Sequence, residues 1–327
     1  MSKQLAAKVD GLPTDKPGTA GDRPPRHAFR HGLDEWFRLT KWAVLRWIYR
    51  REIAAVETAF AVEPFDRILA VYPDIAVKPV RDYLMNGLER QHRSTAVIGH
   101  YAAAARILTT EAFIESHTSG VPLMALSTPA GEITVDLEGQ GGLYREAEWR
   151  LVLRNDGHPV IEMGLAIVDR QILRLAGIGK VLWIGALKTA LAGEHGLDES
   201  RTLTKAMEGL RPKALLLISA QTLAGAFGLE GIFAASNKGH VFAGDYSLRH
   251  RIKADYDRFW LESGGERVNL AIFALPAAKA QRSPSEYKPN KRAQARRRQA
   301  LEHEIEKQVR DSIVGCIANS STATPPA

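Results

Sequence analysis

Residues 201–260 read RTLTKAMEGLRPKALLLISAQTLAGAFGLEGIFAASNKGHVFAGDYSLRHRIKADYDRFW, and this stretch decides the fold class. A polar helix over 198–208 runs into Gly209-Leu210-Arg211-Pro212-Lys213. Residues 212–227 are apolar on nearly every face, the pattern of a helix buried all round. Pro212 suits its first turn, where the missing N–H is not needed. A short β-branched strand (231–236), a helix (251–263) and a further strand (267–275) follow. This alternation predicts one half of a layered α/β domain.

Upstream, the segments 134–137, 148–154, 160–168 and 181–187 are short, β-rich and separated by turn residues. Asn155-Asp156-Gly157 between two of them is a strong hairpin signal, which makes this part of the sheet antiparallel. Two blocks favour helix before it, 33–60 and 82–109, and a long helix is predicted over 291–314. The expectation is an α/β (α+β) fold, with a mixed, largely antiparallel sheet flanked by helices. Its parts are a helical section (33–110), an α/β core (120–276) and a basic C-terminal helix (286–315), with disordered tails at 1–32 and 316–327.

Composition narrows the functional classes. With 45% apolar residues, the 327-residue chain can fill a large core. Its one cysteine, Cys316, excludes intramolecular disulfides and cysteine-ligated zinc. Residues 1–32 are polar and hold no apolar run that would serve as an export signal, so a cytoplasmic location is expected. The longest uncharged run, 214–229, has 16 residues and several polar ones, whereas a membrane span needs roughly 20 apolar residues. The net charge of +7 is concentrated in one segment: between Lys279 and Arg310 ten Lys or Arg face four Glu. Trp36, Trp42 and Trp47 alternate with cations that spread round the helical wheel, which fits a helix packed on the core with snorkelling Lys and Arg stems.

Several unusual words carry a family resemblance: LTKAMEGLRPK (203–213), IKADYDRFW (252–260), 273–276 with the basic stretch after it, and WIGAL (183–187). In this order they resemble a bacterial family named after VirK and YbjX, a domain of unknown function. The resemblance spans residues 180–300 and extends more weakly back to Asp34. It implies a role in virulence, cell-envelope function and stress resistance, and supplies no catalytic residues. One departure is Lys188-Thr189, where relatives are expected to carry Gln-Gly.

Three chemistries compete. The element order also resembles GNAT-type acetyltransferases, in which the helix after a splayed central strand points its N-terminus at the acyl-CoA pyrophosphate. Such a terminus is an anion site. Here it would be formed by Gly209, Arg211 and Lys213, although the GNAT glycine-rich loop is absent and Pro212 removes one donor. Tyr256 is then the expected general acid, and Glu146, Glu148 or Glu162 the base, since a partly buried carboxylate has a raised pKa. Against these roles stand a packed Tyr256 beside Phe259 and Trp260, and solvated strand-face glutamates. The second chemistry is an accessory role at an anionic membrane surface or an envelope protein. Lys288, Lys291, Arg292, Arg296, Arg297 and Arg298 would attach the chain reversibly to the inner membrane. The same residues would otherwise pair with Glu302, Glu304 and Glu306 as a solvated helix face. Nucleic acid, the third, lacks a binding motif and aromatic interleaving. No hydrolase, P-loop, zinc-protease or dinucleotide motif is present. Glu194, His195 and Asp198 have metal-ligand residue types but lie in a polar, Gly-flanked loop.

Overall fold

The computed structural model describes residues 40–190 and 193–318, without the side chains of 193–195 and 197. The expected tail at 1–32, the start of the helix expected over 33–60, and residues 319–327 lie outside it. The chain divides into two units, 1–47 and 48–327. In the first, residues 40–47 are helical; everything below concerns the second.

Helices α1 (Arg50–Ala59), α2 (Phe65–Val71), a 3-10 segment (Pro73–Val80), α3 (Arg90–Ile107) and α4 (Thr110–His117) precede the sheet. Strands β1 (Val121–Thr128), β2 (Gly131–Gly139), β3 (Trp149–Asn155), β4 (His158–Asp169) and β5 (Lys180–Thr189) then form an antiparallel meander. Next come α5 (Gly193–Ala206), α6 (Pro212–Ala226), β6 (Ile232–Ala235), α7 (Tyr256–Glu262), β7 (Glu266–Arg267), β8 (Ile272–Leu275) and α8 (Pro289–Val314). The described strands make one eight-stranded sheet in the order β1-β2-β3-β4-β5-β6-β8-β7. Among them β5 and β6 are the one parallel pair.

Local chemistry explains most boundaries. Asp156 and Gly157 both have positive φ, the conformation a two-residue hairpin turn requires. Asp255 caps α7 by accepting the Arg258 N–H, so this helix starts at Tyr256, later than expected. The strand expected over 267–275 is a hairpin, because the Val268 and Asn269 N–H groups turn back onto the Ile272 carbonyl. β1 and α4 were not anticipated. Edge strand β1 is covered by α8: Gln308 accepts from the Ala125 N–H and Ser312 donates to the Pro122 carbonyl. Residues 316–318 are not tail, since Cys316 and Ala318 exchange backbone bonds with Thr109 and Ile107.

Helix α6 is the centre of the second half. Leu215 through Ala224 are all buried, and the helix packs on β3, β4, β5 and α8. A charge placed between Leu215 and Ala224 enters an apolar interior.

A polar network lies inside the other half of the core. Lys78 and Glu148 are both fully buried and joined at 2.7 Å. Glu148 also accepts from the hydroxyls of Tyr83 and Tyr101, and Lys78 donates to the Ala147 carbonyl. Three donors therefore converge on one carboxyl group. Burial, followed by the Glu148 charge, holds both tyrosines well above the usual range and so keeps them protonated.

Next to it, His100 Nδ1 accepts from the Ile167 N–H, which leaves its Nε2 to donate to His117 Nε2 at 3.2 Å. His117 Nδ1 then donates to the Phe113 carbonyl. Both rings are neutral by this reasoning. Burial pushes His117 down to about 3 and His100 well below its ordinary value.

Two expectations follow. Leu216→Asp buries an unpaired carboxylate and costs at least about 3 kcal/mol; urea unfolding measures it, and an unchanged midpoint would mean that α6 is solvated. The histidines also set a pH dependence. Unfolded, they take up a proton near 6.5; folded, His117 stays neutral to about 3 and His240 to about 4. In that window the unfolded state binds more protons, so stability present above pH 6.5 is lost on acidification. Each histidine contributes about 1.4 kcal/mol per pH unit. Glu146, whose pKa burial raises, works in the opposite sense and offsets part of this. Urea midpoints at pH 7 and pH 5.5 should differ clearly, and equal midpoints would refute neutral buried rings.

Candidate functional site

β5 stays paired with β4 as far as Thr189, but with β6 only over Leu182–Ile184. The pairing stops at Ile184 because β6 ends at Ala235, and a cleft of about 900 Å³ lies along the unpaired end of β5. The carboxyl ends of parallel strands are a recurrent place for ligands. One wall is the end of β5, from Ala186 to Ala190; the other is α7 with His240 and Phe242.

Three buried titratable groups line the cleft. The Tyr256 hydroxyl accepts from the Leu187 N–H at 3.1 Å and donates to the Leu187 carbonyl at 3.0 Å. It thereby satisfies the β5 groups that β6 no longer reaches. Burial, and next the Glu146 charge, push this phenol up to about 12. Glu146 is buried, with Oε2 accepting from the Arg145 N–H. Desolvation raises its pKa, opposed by backbone N–H groups and by Arg145 and Lys188. Gly185 makes this placement feasible, since a Cβ there would lie 2.0 Å from the Glu146 carbonyl oxygen. The same glycine falls at the register shift between β4 and β5. His240 accepts from the Phe242 N–H through Nδ1, and burial lowers its pKa to about 4.

The rim is basic. Lys188, Arg211, Lys213, Arg251, Lys253 and Arg258 line the cleft, against Glu146, Asp255 and Glu262. Arg211 pairs with Glu262 at 3.2 Å, and the Lys213 ammonium lies over the Phe259 ring at 4.3 Å. Burial, then the neighbouring Arg211 charge, lower the Lys213 pKa. These contacts form a ridge between α6 and α7. On its far side lies an outer cleft of about 630 Å³, bounded by α6, α7, the segment after β8 and α8.

The sequence candidates therefore separate. Tyr256 and Glu146 share the inner cleft, and Arg211 and Lys213 stand on the ridge common to both clefts, while Gly209 lines the outer one. Gly209 has φ +89°, a turn conformation suited to glycine. Glu148 does not line either cleft; it is committed to Lys78 in the core. Glu162 does not line them either, and bonds to Arg150 across the strands at 2.9 Å. The unexpected Lys188-Thr189 pair lies on the inner cleft wall. His240 was missed, although its place just after β6, at the carboxyl end of a parallel strand, was a usable signal.

Asp198 pairs with Arg201 on the surface, and the side chains of Glu194 and His195 lie outside the described residues. Three of the basic-helix cations are tied to the fold. Arg297 bonds to Glu208, Arg298 to the Tyr287 hydroxyl, and Arg292 to the carbonyls of Tyr287 and Ser285. Among the described residues no helix is long and apolar enough to cross a membrane.

Comparison with known proteins gives family but no chemistry. Residues 31–311 match a family described as "Protein of unknown function (DUF535)". The chain is 31% identical over 250 residues to "Uncharacterized protein YbjX" of Escherichia coli (strain K12), covering 74% of this chain and 73% of that protein. No solved structure matches. With most of its length covered by the family, the chain belongs to the bacterial DUF535, or VirK/YbjX, family of unknown function.

Proposed function

We propose that the chain is a GNAT-like acyltransferase that takes an acyl thioester, carried by coenzyme A or an acyl carrier protein, into the inner cleft. The VirK-type resemblance supports cell-envelope function and stress resistance as the setting for this activity. The observation that carries the reading is the end of β5 that runs on beyond β6. It borders a basic-rimmed cleft lined by a buried carboxyl and a buried phenol.

The residues divide the work by their environments. Cations at the rim attract the anionic part of the donor, and the apolar side chains of Leu143, Ile161 and Phe242 accept its acyl portion. Glu146, with its raised pKa, removes the proton from an attacking amine or hydroxyl. Tyr256, protonated at neutral pH, is the donor for the departing thiolate once its hydroxyl leaves the Leu187 carbonyl. Its second bond, from the Leu187 N–H, keeps the ring in register during that exchange.

Thermal shift and calorimetry with acyl-CoAs of increasing chain length test the binding, and thiol release tests the chemistry. Wild type should bind and turn over. Glu146→Gln should keep its binding and lose about 10²- to 10⁴-fold in rate, the usual contribution of a general base. Tyr256→Phe should lose rate and also some stability, because Leu187 loses its partner. Absence of any thioester binding by wild type, or an unchanged rate in Glu146→Gln, would sink the proposal.

A further inference from the structure

We propose that the outer cleft is a binding site for a phosphorylated nucleotide, so that the donor is a nucleotide-bearing thioester and not one carried on a protein. This rests on the acyl-thioester reading of the inner cleft, and adds to it the identity of the carrier.

The two clefts are not separate features. They share the ridge of Arg211, Lys213, Phe259 and Glu262, so a ligand that reaches over this ridge from the inner cleft enters the outer one. The Arg211–Glu262 pair on the ridge is exposed on both sides, and exposed pairs are weak enough to exchange partners. Arg211 and Lys213 are like charges held close together, an arrangement that a phosphate between them relieves.

The outer cleft has the composition that a nucleotide needs. Five cations line it, Arg211, Lys213, Lys279, Arg282 and Arg298, against Glu262 and Glu302. Glu302 is buried beneath the site, where it holds Lys279 at 2.5 Å and lies 3.8 Å from the Arg298 guanidinium. Arg298 Nε has no hydrogen-bond partner, although the atom itself is buried. Phe259, Leu217, Ile218 and Tyr287 provide apolar and aromatic surface on which a base can lie. The segment that carries Arg282 is fixed, since Gln299 donates to the Arg282 carbonyl.

A carrier protein would not use these groups. It would dock on an outer surface and thread only its prosthetic arm inward, whereas these cations converge on a concavity of about 630 Å³. That size fits a small molecule.

Calorimetry with adenosine 3′,5′-bisphosphate as probe tests the site. Wild type should bind it in a salt-sensitive manner, and better than inorganic phosphate. Arg282→Ala and Arg211→Ala should each weaken binding by about tenfold or more, the loss of one charge-assisted contact. Arg282→Ala should leave binding of an S-acyl-pantetheine, which has no nucleotide, unchanged. Binding of the acyl-pantetheine without binding of the bisphosphate would overturn this proposal and leave the inner-cleft reading intact. Binding of the bisphosphate without any thioester would retain the nucleotide site and remove the acyltransferase reading. The proposal also fails if both variants bind the bisphosphate as wild type does, if inorganic phosphate binds equally well, or if only an acyl carrier protein is accepted.

Discussion

The buried ion pair between Lys78 and Glu148 is the constraint on which the rest of the molecule is arranged. Taking both charges out of water costs several kcal/mol for each, and only complete satisfaction offsets it. That satisfaction draws on distant parts of the chain: the 3-10 segment supplies Lys78, the loop after it Tyr83, and α3 supplies Tyr101. A hydrophobic core tolerates several packings, but three donors converging on one carboxylate tolerate very few. The network therefore fixes the helical layer on the start of β3. Lys78 also binds the Ala147 carbonyl, which pins the loop that carries Glu146. That loop in turn presses on Gly185, where the β5 register shifts just beyond the end of its pairing with β6. Core and cleft are thus mechanically continuous over a few residues.

The cleft depends on a second substitution of partners. Beyond the end of β6, the part-buried Leu187 backbone groups would be unpaired, a cost of up to about 1–3 kcal/mol each. The Tyr256 hydroxyl supplies both bonds from a side chain. A side chain, unlike a strand, can be displaced by a ligand that offers equivalent bonds. The fold thus keeps a replaceable partner at a place where the sheet is open.

The fold was legible in the sequence wherever a single local pattern decided it. The Asn155-Asp156-Gly157 turn, the alternating strands around it and the all-round apolarity of α6 each predicted their element. Of the candidate site, the sequence offered single residues and not their arrangement: Tyr256, Arg211 and Lys213 line one cleft. The three glutamates were not separable. Glu146 and Glu148 are two apart, so strand periodicity gives them one face. The strand begins only at Trp149, and the loop before it sends one carboxyl to the cleft and the other to Lys78. The outer cleft could not have been read at all, because it needs α8 to return beside a turn some 80 residues earlier.

The basic segment shows the same limit of composition. Counted along the chain, its cations look like a free patch facing solvent or a membrane. In space, Arg292, Arg297 and Arg298 anchor α8 on its neighbours, and Lys279 and Arg298 converge on buried Glu302. Each bond removes a side chain from the free surface without cancelling the excess of positive charge around it. The residual field therefore extends from α8 over the outer cleft to the ridge at Arg211 and Lys213. Fields of this kind are focused by concave, low-dielectric walls and raise the local concentration of anions. Of the charge that the sequence presents as one basic segment, Lys279, Arg282 and Arg298 are spatially part of the cleft system.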